Sequence, residues 1–169
     1  LNIADELSEK LTNLTVSDII ESSLDGKIAG NGGIRFSARI KEMLGNQTSN
    51  SIQPQFKDMN QLVDFISNNS NDLRGVAHGY CTKNRECKVK NIADPSHCIY
   101  CDGYIATPRH LPYWKAIQVS CEHKIQVIES ATDDARAKLD SFYLVLKSNL
   151  IAANTIIQQL ESSEGVNLA

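Results

Sequence analysis

Four of the five cysteines lie in one short segment, HGYCTKNRECKVKNIADPSHCIYC, at residues 78–101. They are Cys81, Cys87, Cys98 and Cys101, and their spacing is C-x5-C-x10-C-x2-C. The thiolate is the metal-binding form of cysteine, and four thiolates suit a closed tetrahedral zinc site. A C-x2-C pair closes a loop too small for a good structural disulfide, but it fits neighbouring positions on a tetrahedral ion. The spacing therefore predicts one structural Zn2+ ion bound by these four cysteines.

Three histidines leave the ligand set open. His97 adjoins Cys98 and is the first alternative for one ligand position, ahead of His78 and His110. Thiols that bind no metal, whether reduced or oxidised, are the other alternative. A closed site of four thiolates leaves no coordination position for water or substrate, so the expected role of the ion is to hold the fold.

Sequences typical of enzymes are missing from the chain. The H-E-x-x-H of zinc proteases and the H-x-E of zinc deaminases are absent, as are a G-x-S-x-G elbow and a Walker loop. The GxGG of residues 30–33 lacks the lysine of a phosphate-binding loop and is interpreted as a turn. We therefore predict that the chain is not an enzyme.

Cationic side chains lie between the predicted ligands, namely Lys83, Arg85, Lys88 and Lys90. Together with Glu86 they give a local charge of +4 − 1 = +3, on a chain whose net charge is −3. Cations held rigidly by a metal site contact phosphates at a lower ordering cost and release condensed counterions. The pattern predicts that these four residues bind the DNA phosphate backbone. The alternative is a loop of solvated lysines.

Composition indicates an ordinary globular protein. Of 169 residues, 41% are hydrophobic and 22% charged, values that argue against disorder. The net negative charge gives no general attraction to nucleic acid, so any DNA contact depends on a local basic patch. No apolar run approaches the ~18–20 residues of a membrane span, and no signal peptide is present. We predict a cytoplasmic protein without a membrane segment. Because the chain starts at Leu1 rather than Met, we also expect it to be part of a longer protein.

Residues 1–70 are predicted to form a lobe of short helices. Apolar residues at helical spacing place Ile3, Leu7, Leu11 and Leu14 on one stripe of a first helix. The further expected elements are a helix from Thr15 or Ser17 to Gly26, a helix over 34–44 that stops at Gly45, a linker over 45–57 and a short helix that starts near Asp58.

The zinc knuckle is predicted over 71–112, a long C-terminal helix over 113–163 and a frayed tail over 164–169. Pro112 suits the first turn of the long helix. An imperfect heptad stripe from Ile117 to Gln159 indicates one helix, or two with a break near 130–134. The predicted fold class is therefore mainly α. The stripe also favours an alternative function, a protein–protein assembly module that pairs through this helix with a second copy or another protein.

Several motifs together resemble a known family. They are G-Y-C-T at 79–82, Cys87, C-x2-C at 98–101, T-P-R-H-L-P at 107–112 and, upstream, LTVSDIIESSLDGKIAG at 14–30. This combination resembles the region that follows the catalytic domain in integrase-like, tyrosine-recombinase-related proteins of mobile elements and genomic islands. The resemblance covers roughly residues 14–125.

The resemblance implies DNA binding in site-specific recombination or DNA integration, with DNA or partner recombinase subunits as binding partners. Residue by residue, it carries over only the four clustered cysteines, as zinc ligands. The catalytic arginines, the H-x-x-R box and the nucleophilic tyrosine of active recombinases have no match in this sequence. The resemblance therefore implies a non-catalytic, zinc-stabilised accessory region.

Overall fold

A computed structural model of the chain describes residues 2–48, 59–69, 72–83, 86–87 and 95–162. These residues form mainly helices, together with one small antiparallel sheet of three strands. The prediction of a mainly α fold is therefore confirmed, whereas the sheet was not expected. Within the described ranges, no helix is both long enough and apolar enough to cross a membrane.

Helix α1 spans Ile3–Leu24 and replaces the two helices that the sequence predicted. The side chain of Asn2 accepts a hydrogen bond from the amide of Ala4 at 3.5 Å and caps its start. Neither glycine nor proline occurs inside this segment, so nothing interrupts the helix near Thr15. The helix ends as predicted just before Gly26, whose φ of 69° is left-handed.

Helices α2 (Asn31–Thr48) and α3 (Met59–Asn69) complete the N-terminal part. Helix α2 starts before the predicted position and continues through Gly45, because a single glycine costs a helix only about 1 kcal/mol. The first residues of the predicted 45–57 linker are therefore helical, and its remainder lies outside the described residues, as does Asp58. The core between α1, α2 and α3 consists of Val16, Ile20, Ile40, Leu62, Val63 and Ile66.

Along the chain, the three strands of the sheet follow helix α3 and precede the C-terminal helices. Strand β1 is Arg74–Val76, β2 is Gly79–Cys81 and β3 is Tyr104–Ile105, and β2 is central. A 3-10 helix, Pro95–Tyr100, precedes β3, and another, Pro108–His110, follows it. Ala29, after α1, forms two hydrogen bonds of 2.9 Å with Ala106, which attaches the N-terminal helices to this sheet.

The C-terminal part is a helical hairpin rather than one long helix. Helix α4 (Leu111–Glu129) is followed by the short α5 (Asp133–Lys138) and by α6 (Asp140–Glu161). The predicted break near 130–134 is confirmed and the single long helix is wrong, whereas the second break, at Leu139, was not predicted. Helices α4 and α6 are antiparallel, as shown by the pairs Lys115–Glu161 and Gln118–Asn154 at 2.8 and 2.7 Å.

Trp114, which is fully buried near the start of α4, is central to the core that joins the hairpin to the sheet. The buried residues of this core are Ala29, Tyr104, Ala106, Trp114, Ala152, Ala153, Ile156, Ile157 and Leu160. Cys98 and Cys101 pack against its edge. The fifth cysteine, Cys121, is buried farther along the hairpin against Ile125 and Leu146. The cysteine segment therefore lies next to the core of the hairpin.

Candidate metal centre

Two of the four predicted ligands occupy matching backbone turns. Cys81 is the last residue of β2, and its sulfur accepts a hydrogen bond from the amide of Lys83. Cys101 follows the first 3-10 helix, and its sulfur accepts from the amide of Gly103 at 3.4 Å. In both turns the donor is the second residue after the cysteine. Amide donors at this position stabilise a thiolate, which is the form that binds a metal ion.

The thiol of Cys81 lies within electrostatic range of Cys87 and of Cys101. Burial raises the pKa of Cys81, the amide of Lys83 opposes this effect, and negative charge on Cys101, Cys87 and Asp72 raises the pKa further. The amide of Cys87 donates a hydrogen bond to the carbonyl of Lys83 at 2.9 Å. A bound cation would replace this mutual repulsion by attraction and ionise the thiols.

Cys98 has a different neighbour. Its sulfur is 3.2 Å from Nε2 of His78, a buried residue in the tight turn between β1 and β2. Desolvation by burial lowers the pKa of His78, which favours the neutral imidazole. The amide of Cys101 donates to the carbonyl of Cys98 at 3.0 Å, which holds the C-x2-C pair in one turn. Of the three histidines considered, His78 therefore approaches a cysteine sulfur, although sequence adjacency favoured the exposed His97.

Among the predicted ligands, Cys81 interacts electrostatically with Cys87 and Cys101, and Cys98 lies against His78. Among the described residues, no three or more His, Cys, Asp or Glu side chains are arranged closely enough to hold a metal ion. None of the five cysteines, all of which are described, forms a disulfide. The donor set suits Zn2+, because thiolates that accept amide hydrogen bonds are preferred zinc ligands. The zinc site itself stays a prediction.

Hydrogen bonds to its backbone carbonyl and contacts with two aromatic rings hold His78 in place. Its carbonyl oxygen accepts hydrogen bonds from the hydroxyl of Tyr104 and from Nε1 of Trp114, the latter at 3.0 Å. The indole also contacts the Tyr104 hydroxyl at 3.1 Å. The imidazole lies 5.6 Å from the Tyr104 ring and 5.8 Å from the Tyr113 ring, measured between centroids. These contacts join the turn before β2 to the first turn of α4.

A second polar network lies on the opposite side of β2. Asp18 of α1 accepts hydrogen bonds from the hydroxyls of Tyr80 and Thr107, at 2.6 and 2.7 Å. Nδ1 of His110 accepts from the amide of Thr107 at 3.1 Å. His110, also considered as a metal ligand, thus serves to cap the turn of the T-P-R-H motif. Thr107 and His110 are both buried, so this network lies within the folded core beside helix α1.

Of the predicted DNA-binding residues, the structure describes Lys83, whereas Arg85, Lys88 and Lys90 lie outside the described residues. The alkyl chain of Lys83 packs against Gly103, where an added Cβ would lie 2.7 Å from its Cγ. The stem of Lys83 therefore lies beside the turn that follows Cys101.

Sequence reasoning missed a cation at this site. Arg74 of β1 is exposed and is the direct cross-strand partner of Cys81, so their side chains share one face of the sheet. The short β1–β2 hairpin carries only three residues a strand, too few for an alternating pattern to reveal it. Acidic Asp72 and Asp102 flank the site, and Asp102 forms an exposed ion pair of 3.5 Å with Arg35.

Comparisons with protein-family models, with curated proteins and with solved structures give no match for this chain.

Proposed function

We propose that the chain is a zinc-stabilised, non-catalytic DNA-binding region that acts in site-specific recombination or DNA integration. The observation that carries this proposal is the arrangement of Cys81 and Cys101, whose sulfurs each accept an amide hydrogen bond from the second residue beyond. Zn2+ bound by these two thiolates with Cys87 and Cys98 would tie the sheet to the first 3-10 helix. The ion would be structural, since four protein ligands leave no open position.

The DNA-binding part of the proposal rests on the cations around these turns. Lys83 and Arg74 lie next to Cys81 in the structure, and the sequence adds Arg85, Lys88 and Lys90 between Cys81 and Cys98. Contacts from such residues reach phosphates and give affinity with little sequence preference. Asp72 and Asp102 reduce the local positive charge, so we expect moderate affinity that depends strongly on salt.

DNA binding is tested by replacing Lys83, Arg85, Lys88 and Lys90 together with alanine. Each lost phosphate contact lowers the slope of log K against log salt by about 0.9 on duplex DNA. We expect the quadruple variant to bind duplex DNA more weakly and with a slope smaller by about 2 to 4. Fluorescence anisotropy at several salt concentrations measures both quantities.

A control variant with the same change in charge uses four exposed lysines of the hairpin, Lys115, Lys124, Lys138 and Lys147. We expect it to retain the wild-type salt slope. If the wild type and the quadruple variant of Lys83, Arg85, Lys88 and Lys90 bind DNA with equal affinity and equal salt slope, these four residues do not bind DNA.

A second candidate function is assembly with a second copy through the hairpin. The predicted heptad stripe is largely used between α4 and α6, where Ile125, Ile128 and Leu146 are buried. Large apolar residues nevertheless remain exposed on both helices, namely Val119, Val127, Leu144 and Ile151. If they form an interface, light scattering will show a dimer that the double variant Leu144→Glu/Ile151→Glu dissociates. A wild-type monomer at high concentration would exclude self-assembly.

A further inference from the structure

The imidazole of His78 is buried and lies against the sulfur of Cys98. Nε2 is 3.2 Å from that sulfur, within hydrogen-bonding distance. In the proposed zinc site Cys98 would be a thiolate, which can only accept a hydrogen bond, so the nitrogen that faces it would carry the proton. A neutral imidazole protonated at Nε2 satisfies this requirement. The position of the proton follows from the chemistry of the acceptor.

The imidazole is held in place by the surrounding core rather than by the cysteine. The backbone carbonyl of His78 accepts from Trp114 and Tyr104, and both of these residues are buried. The ring packs against Tyr104 and Tyr113. A donor fixed in this way loses little conformational entropy when it binds a thiolate, so it stabilises the bound state efficiently.

We propose that His78 is a positioning residue of the zinc site, which donates its Nε2–H to the Cys98 thiolate and links the metal to the core around Trp114. This inference rests on the proposed zinc site and adds a role that no cysteine pattern predicts. Cys81 and Cys101 receive their hydrogen bonds from backbone amides, whereas Cys98 receives one from a side chain. Hydrogen bonds of this outer shell fix the orientation of a ligand and reduce the reactivity of its sulfur.

The test compares zinc affinity in variants of the full chain, measured by competition with a chromophoric chelator. His78→Phe keeps a ring of similar shape and removes the donor, and His78→Leu serves in its place if Phe overpacks the core. We expect either variant to bind one zinc per chain with an affinity about 10- to 100-fold lower. His78→Gln restores a side-chain N–H donor and should recover most of the loss. His97→Leu changes an exposed neighbour of Cys98 and should behave as wild type.

A second readout is the rate at which iodoacetamide modifies each cysteine of the zinc-loaded protein, resolved by mass spectrometry. Loss of the donor should accelerate modification of Cys98 more than that of Cys101, with buried Cys121 as an internal reference. A rescue by Gln and a cysteine-specific change would not follow from a general loss of packing.

Several outcomes would overturn the inference. One is a His78→Phe variant that matches His97→Leu in affinity and in Cys98 reactivity, which would leave the zinc proposal intact. Another is loss of zinc from His78→Phe while Cys87→Ser still binds one ion, because His78 would then be a direct ligand. A folded wild-type chain that binds no zinc would refute the proposed site itself, and the role of His78 with it.

Discussion

The hydroxyl of Tyr80 donates a hydrogen bond of 2.6 Å to the carboxylate of Asp18, and this bond ties the central strand β2 to helix α1. The same carboxylate oxygen accepts from Thr107 at 2.7 Å, so one residue of α1 organises both the strand and the turn before α4. Burial, together with the hydrogen bond and negative charge of Asp18, raises the pKa of Tyr80 to about 12. Tyr80 adjoins Cys81, so the position of the first cysteine depends on this contact.

The variant Tyr80→Phe should destabilise the fold by about 1–2 kcal/mol, because it removes a hydrogen bond to a charged acceptor. Urea denaturation of both proteins measures the difference. Tyr100→Phe is the matched control, since the Tyr100 side chain is 70% exposed, and it should change the free energy of unfolding very little. Equal losses in the two variants would show that the bond to Asp18 contributes nothing measurable.

Stability should fall as the pH is lowered from about 6.5 to about 4. Burial lowers the pKa of His110 to about 4, with Asp18 opposing the shift and Arg109 and His78 adding to it. In this pH window the unfolded state binds more protons than the folded state, so the stabilisation present above pH 6.5 is lost. The expected loss from His110 is on the order of 2–3 kcal/mol.

His110→Asn retains an acceptor for the amide of Thr107 but does not titrate in this range, so its stability should vary less between pH 6.5 and 4. Acid would also protonate the cysteines of the proposed zinc site, and comparison of the two proteins at each pH removes that shared effect. Parallel pH profiles would contradict the assignment to His110.

Two glycines of the β1–β2 hairpin provide a matched pair. A Cβ added at Gly79 would lie 2.6 Å from the carbonyl oxygen of Ile105 and would overlap the ring of Tyr104. A Cβ at Gly75 would meet only Tyr80 atoms at 3.9 and 4.0 Å. We expect Gly79→Ala to lower the free energy of unfolding by roughly 2 kcal/mol or more and Gly75→Ala to be nearly neutral. Thermal melts of the two variants measure this contrast.

Removal of zinc should alter the fluorescence of Trp114, the single tryptophan of the chain. Its indole donates to the carbonyl of His78, whose ring faces Cys98, so loss of the ion loosens groups in contact with Trp114. We expect a red shift of the emission when a chelator removes zinc. The same chelator presaturated with zinc is the control. An unchanged emission spectrum after complete removal of zinc would show that the ion does not affect the core around Trp114.

Local sequence signals predicted much of the helical part of the fold. Proline at the start of α4, glycine after α1 and the break near 130–134 act within one or two turns of the chain, so a single sequence reveals them. Helix boundaries were less accurate, because Thr15, Ser17 and Gly45 only lower helix propensity and do not stop a helix that is packed on neighbours.

Long-range contacts were not predictable in the same way. Gln159 interrupts the apolar stripe of α6 because its side chain accepts a hydrogen bond at 3.0 Å from Gly30, far away in sequence. Lys124 and Lys138 also fall on the predicted stripe, and both are exposed, so the stripe does not follow one buried face.

At the candidate site, the cysteine pattern indicated the donors but not their geometry. His97 was favoured over His78 by sequence adjacency, whereas the turn between β1 and β2 brings His78 to Cys98. That turn depends on a pairing of three-residue strands, which no local pattern encodes strongly. The sequence therefore indicated which chemistry to look for, and the fold was needed to show which side chains meet.

The zinc content of the folded, purified chain tests the central claim most directly. Elemental analysis of a monodisperse sample should give about one zinc per chain, and Cys98→Ser or Cys101→Ser should lower that ratio sharply. A chain that is folded by circular dichroism and contains no zinc, even after incubation with equimolar Zn2+, would contradict the account.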